Sequence, residues 1–350
     1  MERELIVRRV DGKSDAGKIA SLKELLSAVR HPFLPGMHVG VKIHWGEKGN
    51  RSFLSPAYTR EIVLWLKELQ TLPFVFDTTV LYSGGRRNGA DALNTARTNG
   101  FSEETLGCPV VVADGLDGRA VHAIPAGMKH FETVQVADVV GKAGGFVIFS
   151  HFKGHMLSSF GGAIKNLSMG FASRAQKQRM HSNAHPVLKK KKCTRCGLCV
   201  KVCPADAASI REGAFPAYDL NRCIGCSQCI ALCTEAALKI FWDSDPGVFQ
   251  EKLVETAAAV WKIIGARSIA VNALLRITKE CDCMPGENPV IAGDIGFVGG
   301  ADPVAVDRES LSIVGSEPFE NAHPGIPWKR QFEHAAAVGF GGAGQGQART

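Results

Sequence analysis

Apolar positions in the first ~185 residues alternate between short continuous runs and runs spaced every three or four residues, two periods that separate strands from helices. Leu5-Ile6-Val7 predicts a strand, and Ile19, Leu22, Leu25 and Leu26 predict a helix over Lys18 to Val29. His38 to Trp45 is rich in β-formers, and Ile62, Leu64 and Leu66 place a helix on Pro56 to Leu69. Phe74 to Phe76, Val110 to Val112 and Phe146 to Phe149 are unbroken apolar runs, the pattern of strands buried on both faces. The alternation predicts an α/β layer architecture around a mostly parallel sheet. Gly161-Gly162 opens a predicted helix, Ala163 to Met169, after which Arg174 to Lys192 is polar and basic and ends in four lysines.

A cysteine-rich block follows and closes near Phe241-Trp242, and Asp243 to Gly247 reads as a linker. Val248 to Ile264 is helical in period and Ser268 to Leu275 strand-like, and Asp302-Pro303 starts a helix with Asp as cap and Pro in its first position. The expected organisation is therefore an α/β host domain split in sequence (1–185 and 243–340), an α+β insert at 186–242, and a mobile tail at 341–350. Hydrophobic residues make up 45% of the 350, enough for a sizeable core. No run approaches the ~18 apolar residues of a membrane span, and the first residues carry no secretory pattern, so a cytoplasmic protein is expected. Eleven cysteines, an odd number without an export signal, argue against a disulfide framework, and eight of them lie between Cys193 and Cys233.

Cys193-x2-Cys196-x2-Cys199-x3-Cys203-Pro204 recurs as Cys223-x2-Cys226-x2-Cys229-x3-Cys233. In bacterial two-cluster ferredoxins with this spacing the fourth cysteine of each run ligates the other cluster. The expected cofactors are two [4Fe–4S] clusters, one on Cys193, Cys196, Cys199 and Cys233, the other on Cys223, Cys226, Cys229 and Cys203. Zinc is the alternative for any Cys-x2-Cys, but zinc sites use two pairs rather than two triplets with a fourth cysteine further on. The net charge of +7 would fall on cluster binding, which leaves Lys189 to Lys192 to offset cluster charge or dock an acidic electron donor. No recognition motif supports nucleic acid.

In open α/β sheets ligands bind beyond the carboxyl ends of the strands. Polar groups follow four apolar runs: His44, Glu47 and Asn50; Asp77, with Arg86 close behind; Asp114; and His151, Lys153 and His155. With Lys165, in the helix after Gly161-Gly162, they define a candidate catalytic set of His44, Asp77, Asp114, His151, Lys153 and Lys165, expected to converge on one crevice if the strands are parallel neighbours. The Gly-Gly turn could offer backbone amides to an anion, and a lysine or histidine could donate a proton. Neither a phosphate-binding P-loop nor a dinucleotide-binding glycine motif is present. Cys281-Asp282-Cys283 is a candidate metal or redox pair or a buried structural element, and Asp282 is expected to raise the thiol pKa values. Cys108 reads as a core residue.

At Lys42-Ile-His-Trp-Gly-Glu-Lys-Gly-Asn50, Phe76-Asp-Thr-Thr-Val-Leu-Tyr82, Ala113-Asp-Gly-Leu116, His151-Phe-Lys-Gly-His155, Phe160-Gly-Gly-Ala-Ile-Lys-Asn166, Cys281-Asp-Cys283, Asp294-Ile-Gly296 and Asp302-Pro-Val-Ala-Val-Asp307, the chain resembles a family of uncharacterised iron–sulfur-centre proteins. That family is a domain of unknown function often interrupted by a two-cluster ferredoxin module. The resemblance extends to about Phe340 and implies a host domain split around the insert, without supplying a reaction. Together these readings lead to an expected iron–sulfur redox protein, its insert passing electrons from a partner protein to the polar host site, where a small anionic or carbonyl-bearing substrate is reduced. The alternatives are an electron carrier whose host domain only docks partners, and a metal or cluster delivery protein.

Overall fold

Strand β1 (Leu5–Arg9) and helix α1 (Asp15–Ala28) open the chain, followed by β2 (His38–Lys42), α2 (Pro56–Glu68) and β3 (Leu72–Asp77). Helices α3 (Gly89–Thr98) and α4 (Glu103–Leu106) lead into β4 (Val110–Val112). The computed structural model describes residues 4–81, 84–181, 186–203, 206–219, 222–223, 228–238, 245–342 and 348–349. The Ser14 hydroxyl caps α1 by accepting from Gly17 N, and Ser55, just before Pro56, caps α2 by accepting from Ala57 N. A hairpin of β5 (Val121–Pro125) and β6 (Thr133–Ala137) and the short helix α5 (Val139–Lys142) precede β7 (Gly145–His151). A second small hairpin, β8 (Lys153–His155) with β9 (Ser159–Gly161), feeds α6 (Ala163–Met169) and α7 (Arg174–His181).

After the cysteine block come α10 (Pro246–Ile264), β12 (Ser268–Leu274), β13 (Ile277–Thr278), β14 (Val290–Ala292), β15 (Gly296–Gly300), α11 (Pro303–Val314), α12 (Glu317–Ala322), α13 (Arg330–Ala337) and the two-residue β16 (Ala348–Arg349); the block itself holds α8 (Leu198–Lys201), β10 (Ala208–Ser209), β11 (Ala217–Tyr218) and α9 (Gln228–Leu232). The central sheet runs β4-β3-β2-β7-β12-β15-β1-β16. From β4 to β12 every pairing is parallel; β15 is antiparallel to both β12 and β1. The fold is thus mixed α/β with a large, mostly parallel sheet.

Alternation along β7 shows how the core is divided. Phe146 and Ile148 join one apolar cluster with Leu253, Ala257 and Val260 of α10 and Ile164 and Leu167 of α6. Val147 and Phe149 face the opposite cluster, with Leu22, Leu25 and Leu26 of α1 and Ile62 and Leu66 of α2. A strand covered on both faces has no polar side to show, which is why its sequence is unbroken apolar. Val110 to Val112 departs from this expectation: β4 is the sheet edge and only partly covered, with Val111 36% exposed. The polar stretch from Arg174 departs further, because α7 is a buried helix with Arg174, Gln176, Lys177 and Gln178 all enclosed.

The cysteine block repeats itself thirty residues on in sequence (Cys193/Cys223, Cys203/Cys233), and among its described residues the two halves pair alike. Strand β10 pairs with β11 through Ala208 and Tyr218, and the equivalent residues of the other half, Leu238 and Leu188, form an antiparallel bridge. Asp219 N donates to Ala207 O at 2.8 Å, and its counterpart Lys189 N to Ala237 O at 2.7 Å. Helices α8 and α9 pack together as equivalents. Helix α9 also rests on α7, and Arg87 Nη2 donates to Cys233 O at 2.6 Å, tying the block to the rest of the chain.

Candidate functional site

The carboxyl ends of β2, β3 and β7 open into one cavity of about 900 Å³. Of the six residues expected to converge, His44, Asp77, His151, Lys153 and Lys165 line it. Asp114 does not; it is wholly buried, accepting from Thr79 N at 2.9 Å and Thr79 Oγ1 at 2.5 Å, with burial raising its pKa. His155 and Arg86 line the cavity as well.

A row of alternating charge forms one wall. Lys42 Nζ stands 2.9 Å from Asp77 Oδ1, Asp77 Oδ2 accepts from Arg86 Nη1 at 2.9 Å, and Arg86 Nε reaches Glu47 Oε2 at 3.3 Å. Glu47 also accepts from the backbone N–H of Gly85 and Lys48. These side chains are at most 5% exposed, so each charge relies on its neighbours in place of water. Burial still lowers the Lys42 pKa, against the pull of Asp77. Lys42 crosses so close to Gly170 that a Cβ there would stand 2.1 Å from its Cε.

The opposite wall comes from β7, β8 and the loop after β13. His151 Nδ1 lies 3.0 Å from Asp282 Oδ2 and its Nε2 2.8 Å from Leu275 O, so both ring nitrogens face protein acceptors. Lys153 Nζ closes on Asp282 Oδ2 at 2.7 Å. Burial alone would raise the Asp282 pKa, but Lys153 and His151 outweigh it and bring it to about 2. Lys165 Nζ reaches Cys281 Sγ at 3.5 Å.

A lysine or a histidine was expected to offer a proton here. Burial with Arg86 nearby holds His44 neutral, far below its usual range; burial does the same to His155 and takes His181 to about 3. Two cavity lysines shift in opposite directions: the Cys281 and Cys283 sulfurs hold the Lys165 pKa up against burial, while burial lowers that of Lys177 to about 8 and Asp114 resists. Sequence reading missed Lys177 and His181. Their i, i+4 spacing within the basic stretch was the available signal, since it puts both on one face of α7.

Two further expectations are corrected. Backbone amides after Gly161-Gly162 are not free for a ligand anion, because Asp307 of α11 takes Ala163 N at 2.6 Å and Ile164 N at 2.9 Å. Nor does Asp282 govern the neighbouring thiols. The Cys281 pKa falls well below the usual range, first through the neighbouring Cys283 thiol; burial opposes this, and Lys165 and Lys153 add to it. Asp282 is committed to Lys153 and His151, which reduces its influence to a minor one.

Cys108 is buried in the core, as expected. Cys226 and Pro204 of the cysteine block lie outside the described residues, as does Tyr82. Among the described residues no three His, Cys, Asp or Glu side chains are grouped to hold a single metal ion, Cys281 and Cys283 included. Within the block, Cys203 Sγ accepts from Ala207 N at 3.2 Å and Cys233 Sγ from Ala237 N at 3.3 Å, the same bond in each half. Cys193 Sγ accepts from Arg195 N at 3.4 Å.

A family described as "Domain of unknown function (DUF362)" matches residues 39–312. A Thermotoga maritima protein solved by a structural genomics consortium is similar at 10% identity and a TM-score of 0.47, over 87% of this chain and 59% of that one. The lactate racemase apoprotein from Thermoanaerobacterium thermosaccharolyticum is similar at 12% identity and a TM-score of 0.45, over 88% of this chain and 57% of that one. The chain thus spans less than two thirds of the length of either structure. No curated protein matches it.

Proposed function

The chain belongs to the family described as Domain of unknown function (DUF362), and from that premise we propose that it is an iron–sulfur redox protein: the 186–242 insert is a two-cluster ferredoxin-like module serving the host cavity. The observation that carries this reading is the doubled cysteine half-unit, in which the Cys203 and Cys233 sulfurs each accept a backbone N–H from the residue four positions on. Amide donors stabilise thiolate, the form that binds iron. In a four-iron cube each cysteine ligates a different iron, so convergence on one point is not the geometry such a site needs.

Cys193, Cys196, Cys199 and Cys233 would hold one cluster, and Cys223, Cys226, Cys229 and Cys203 the other. The clusters, when bound, would supply single electrons at low potential. The chain's own residues do the rest. Arg87, bonded to Cys233 O, adjoins Arg86 of the cavity wall, so one cysteine set stands next to the site. Exposed Lys189 to Lys192, beside Cys193, offer an acidic electron donor a docking surface. Inside the cavity, lysine cations oppose negative charge developing on a small anionic or carbonyl-bearing substrate, and Lys165 or Lys177 supplies the proton. A carrier that only docked partners would have no use for a cavity of about 900 Å³ lined with buried charge.

Anaerobically purified protein should contain about eight iron and eight sulfide per chain. Cys203→Ala should remove the cluster held by Cys223, Cys226 and Cys229 and spare the other. Stoichiometric zinc without sulfide would end this reading, and loss confined to the Cys193 set would overturn the interleaved ligation.

A further inference from the structure

The charge row and the lysines leave one reactive group of the cavity without a role. Cys281 and Cys283 both line it, and Lys165 Nζ stands 3.5 Å from Cys281 Sγ. Asp282, between them in sequence, points away into its bonds with Lys153 and His151. Cys281 is itself only 4% exposed, but Met156 at 52% and Met284 at 42% line the same cavity and open it to solvent.

We propose that Cys281, flanked by Lys165 and Cys283, is the nucleophile of this cavity and adds reversibly to the carbonyl carbon of a small substrate. The addition balances without any oxidant or reductant. Sulfur donates an electron pair to form the C–S bond, the carbonyl π pair moves to oxygen, and the new alkoxide takes a proton from the Lys165 ammonium. The product is a hemithioacetal, and the reverse steps release the carbonyl compound. Sulfur is available because the groups facing it from the loop, from α6 and from β8 favour its anion: Cys283, Lys165 and Lys153 do so, against burial and a minor effect of Asp282. Lys165 retains its proton for the same reason, since the Cys281 and Cys283 sulfurs outweigh the burial that would lower its pKa.

This inference rests on the proposed reading for its carbonyl substrate class, but its test needs no electron transfer. The intact protein with its natural metal content is treated with iodoacetamide at pH 6.5 and the labelled cysteines are mapped by mass spectrometry. Cys281 should be labelled first, while Cys108, whose pKa burial takes to about 11, stays unlabelled. An ordinary thiol is about 1% ionised at this pH. A full thiolate of lower intrinsic nucleophilicity should therefore react about 10-fold faster. Lys165→Gln should remove that advantage and move the inflection of rate against pH upward, and Lys165→Arg should restore both. ¹³C-labelled glyoxylate should give a hemithioacetal carbon resonance in the wild type that is missing from Cys281→Ser. An unlabelled Cys281, a pH profile indifferent to Lys165→Gln, or a resonance that persists in Cys281→Ser overturns the proposal. Iron and sulfide content, read on the same samples, reports on the redox reading separately.

Discussion

At Gly162 a Cβ would lie 2.2 Å from Asp307 Oδ1 and 2.8 Å from the Phe152 ring, closer than atoms pack without something moving. The glycine lets a carboxylate from α11 sit directly on the first amides of α6, the helix that presents Lys165 and Asn166 to the cavity. Gly162→Ala should therefore cost about 1–3 kcal/mol by overpacking, read by chemical denaturation. Asp307 is wholly enclosed, and burial raises its pKa to about 6 despite donation from Asn272 and the two amides. Between the unfolded carboxyl value near 4 and this folded value, the native state binds the extra proton, so stability from this group falls as pH rises. The advantage of wild type over Asp307→Asn should shrink by on the order of 3 kcal/mol from pH 4 to pH 7. A difference that stays constant or grows over that window would show that Asp307 is not the group titrating.

Elements here are held by charge as well as by apolar burial. Helix α10 is enclosed along most of its length, yet it carries Glu251 and Glu255. Glu255 accepts from His130 N at 2.9 Å, Phe131 N at 3.2 Å and His334 Nε2 at 3.1 Å, pinning the loop of the β5–β6 hairpin and α13 to the helix. Glu251 gathers Lys129, His130 and Arg330. Removing a buried acceptor leaves donors stranded, so Glu255→Ala should cost about 3–5 kcal/mol and raise amide exchange at His130 and Phe131 first. Uniform loss of protection across the sheet would contradict a local pin. Helix α7 follows the same logic. Gln176 bonds Thr256 at 3.1 Å, Arg174 bonds Val80 O at 3.1 Å, and Lys177 bonds Thr78 at 2.7 Å, so a segment without an apolar stripe is nonetheless interior.

Across the whole molecule, strands from both sides of the cysteine block build one sheet. Strand β12 lies between β7 and β15, and β15 is the partner that joins β1 to the rest. A fragment of residues 1–185 lacks both β12 and β15 and should not fold. The chain ends flanking residues 182–244 meet closely, since the His181 ring at the end of α7 lies 4.8 Å from the Phe249 ring at the start of α10. Replacing residues 182–244 with a short Gly/Ser linker should thus give a folded host without iron, checked by circular dichroism, thermal melting and metal analysis. A stable 1–185 fragment beside an unfolded linker variant would reverse this assignment of the folding unit.

Much of this architecture could be read in one dimension, because backbone periodicity and helix starts are local. The six predicted strand runs, which became β1, β2, β3, β4, β7 and β12, and the helices α1, α2, α6, α10 and α11 fall where the apolar spacing and the Asp302-Pro303 start put them. Polar residues after β2, β3 and β7 were legible as one site because parallel neighbours present their carboxyl ends together. The doubled cysteine spacing was equally plain. What only the tertiary structure decided depends on contacts between residues far apart in the chain. It turned Asp114 away to Thr79, gave the α6 amides to Asp307, buried α7, brought Lys177 and His181 to the cavity, and set Lys165 against Cys281. A polar side chain is interior or exposed according to whether a partner meets it there, and the spacing of its own segment carries no record of that partner.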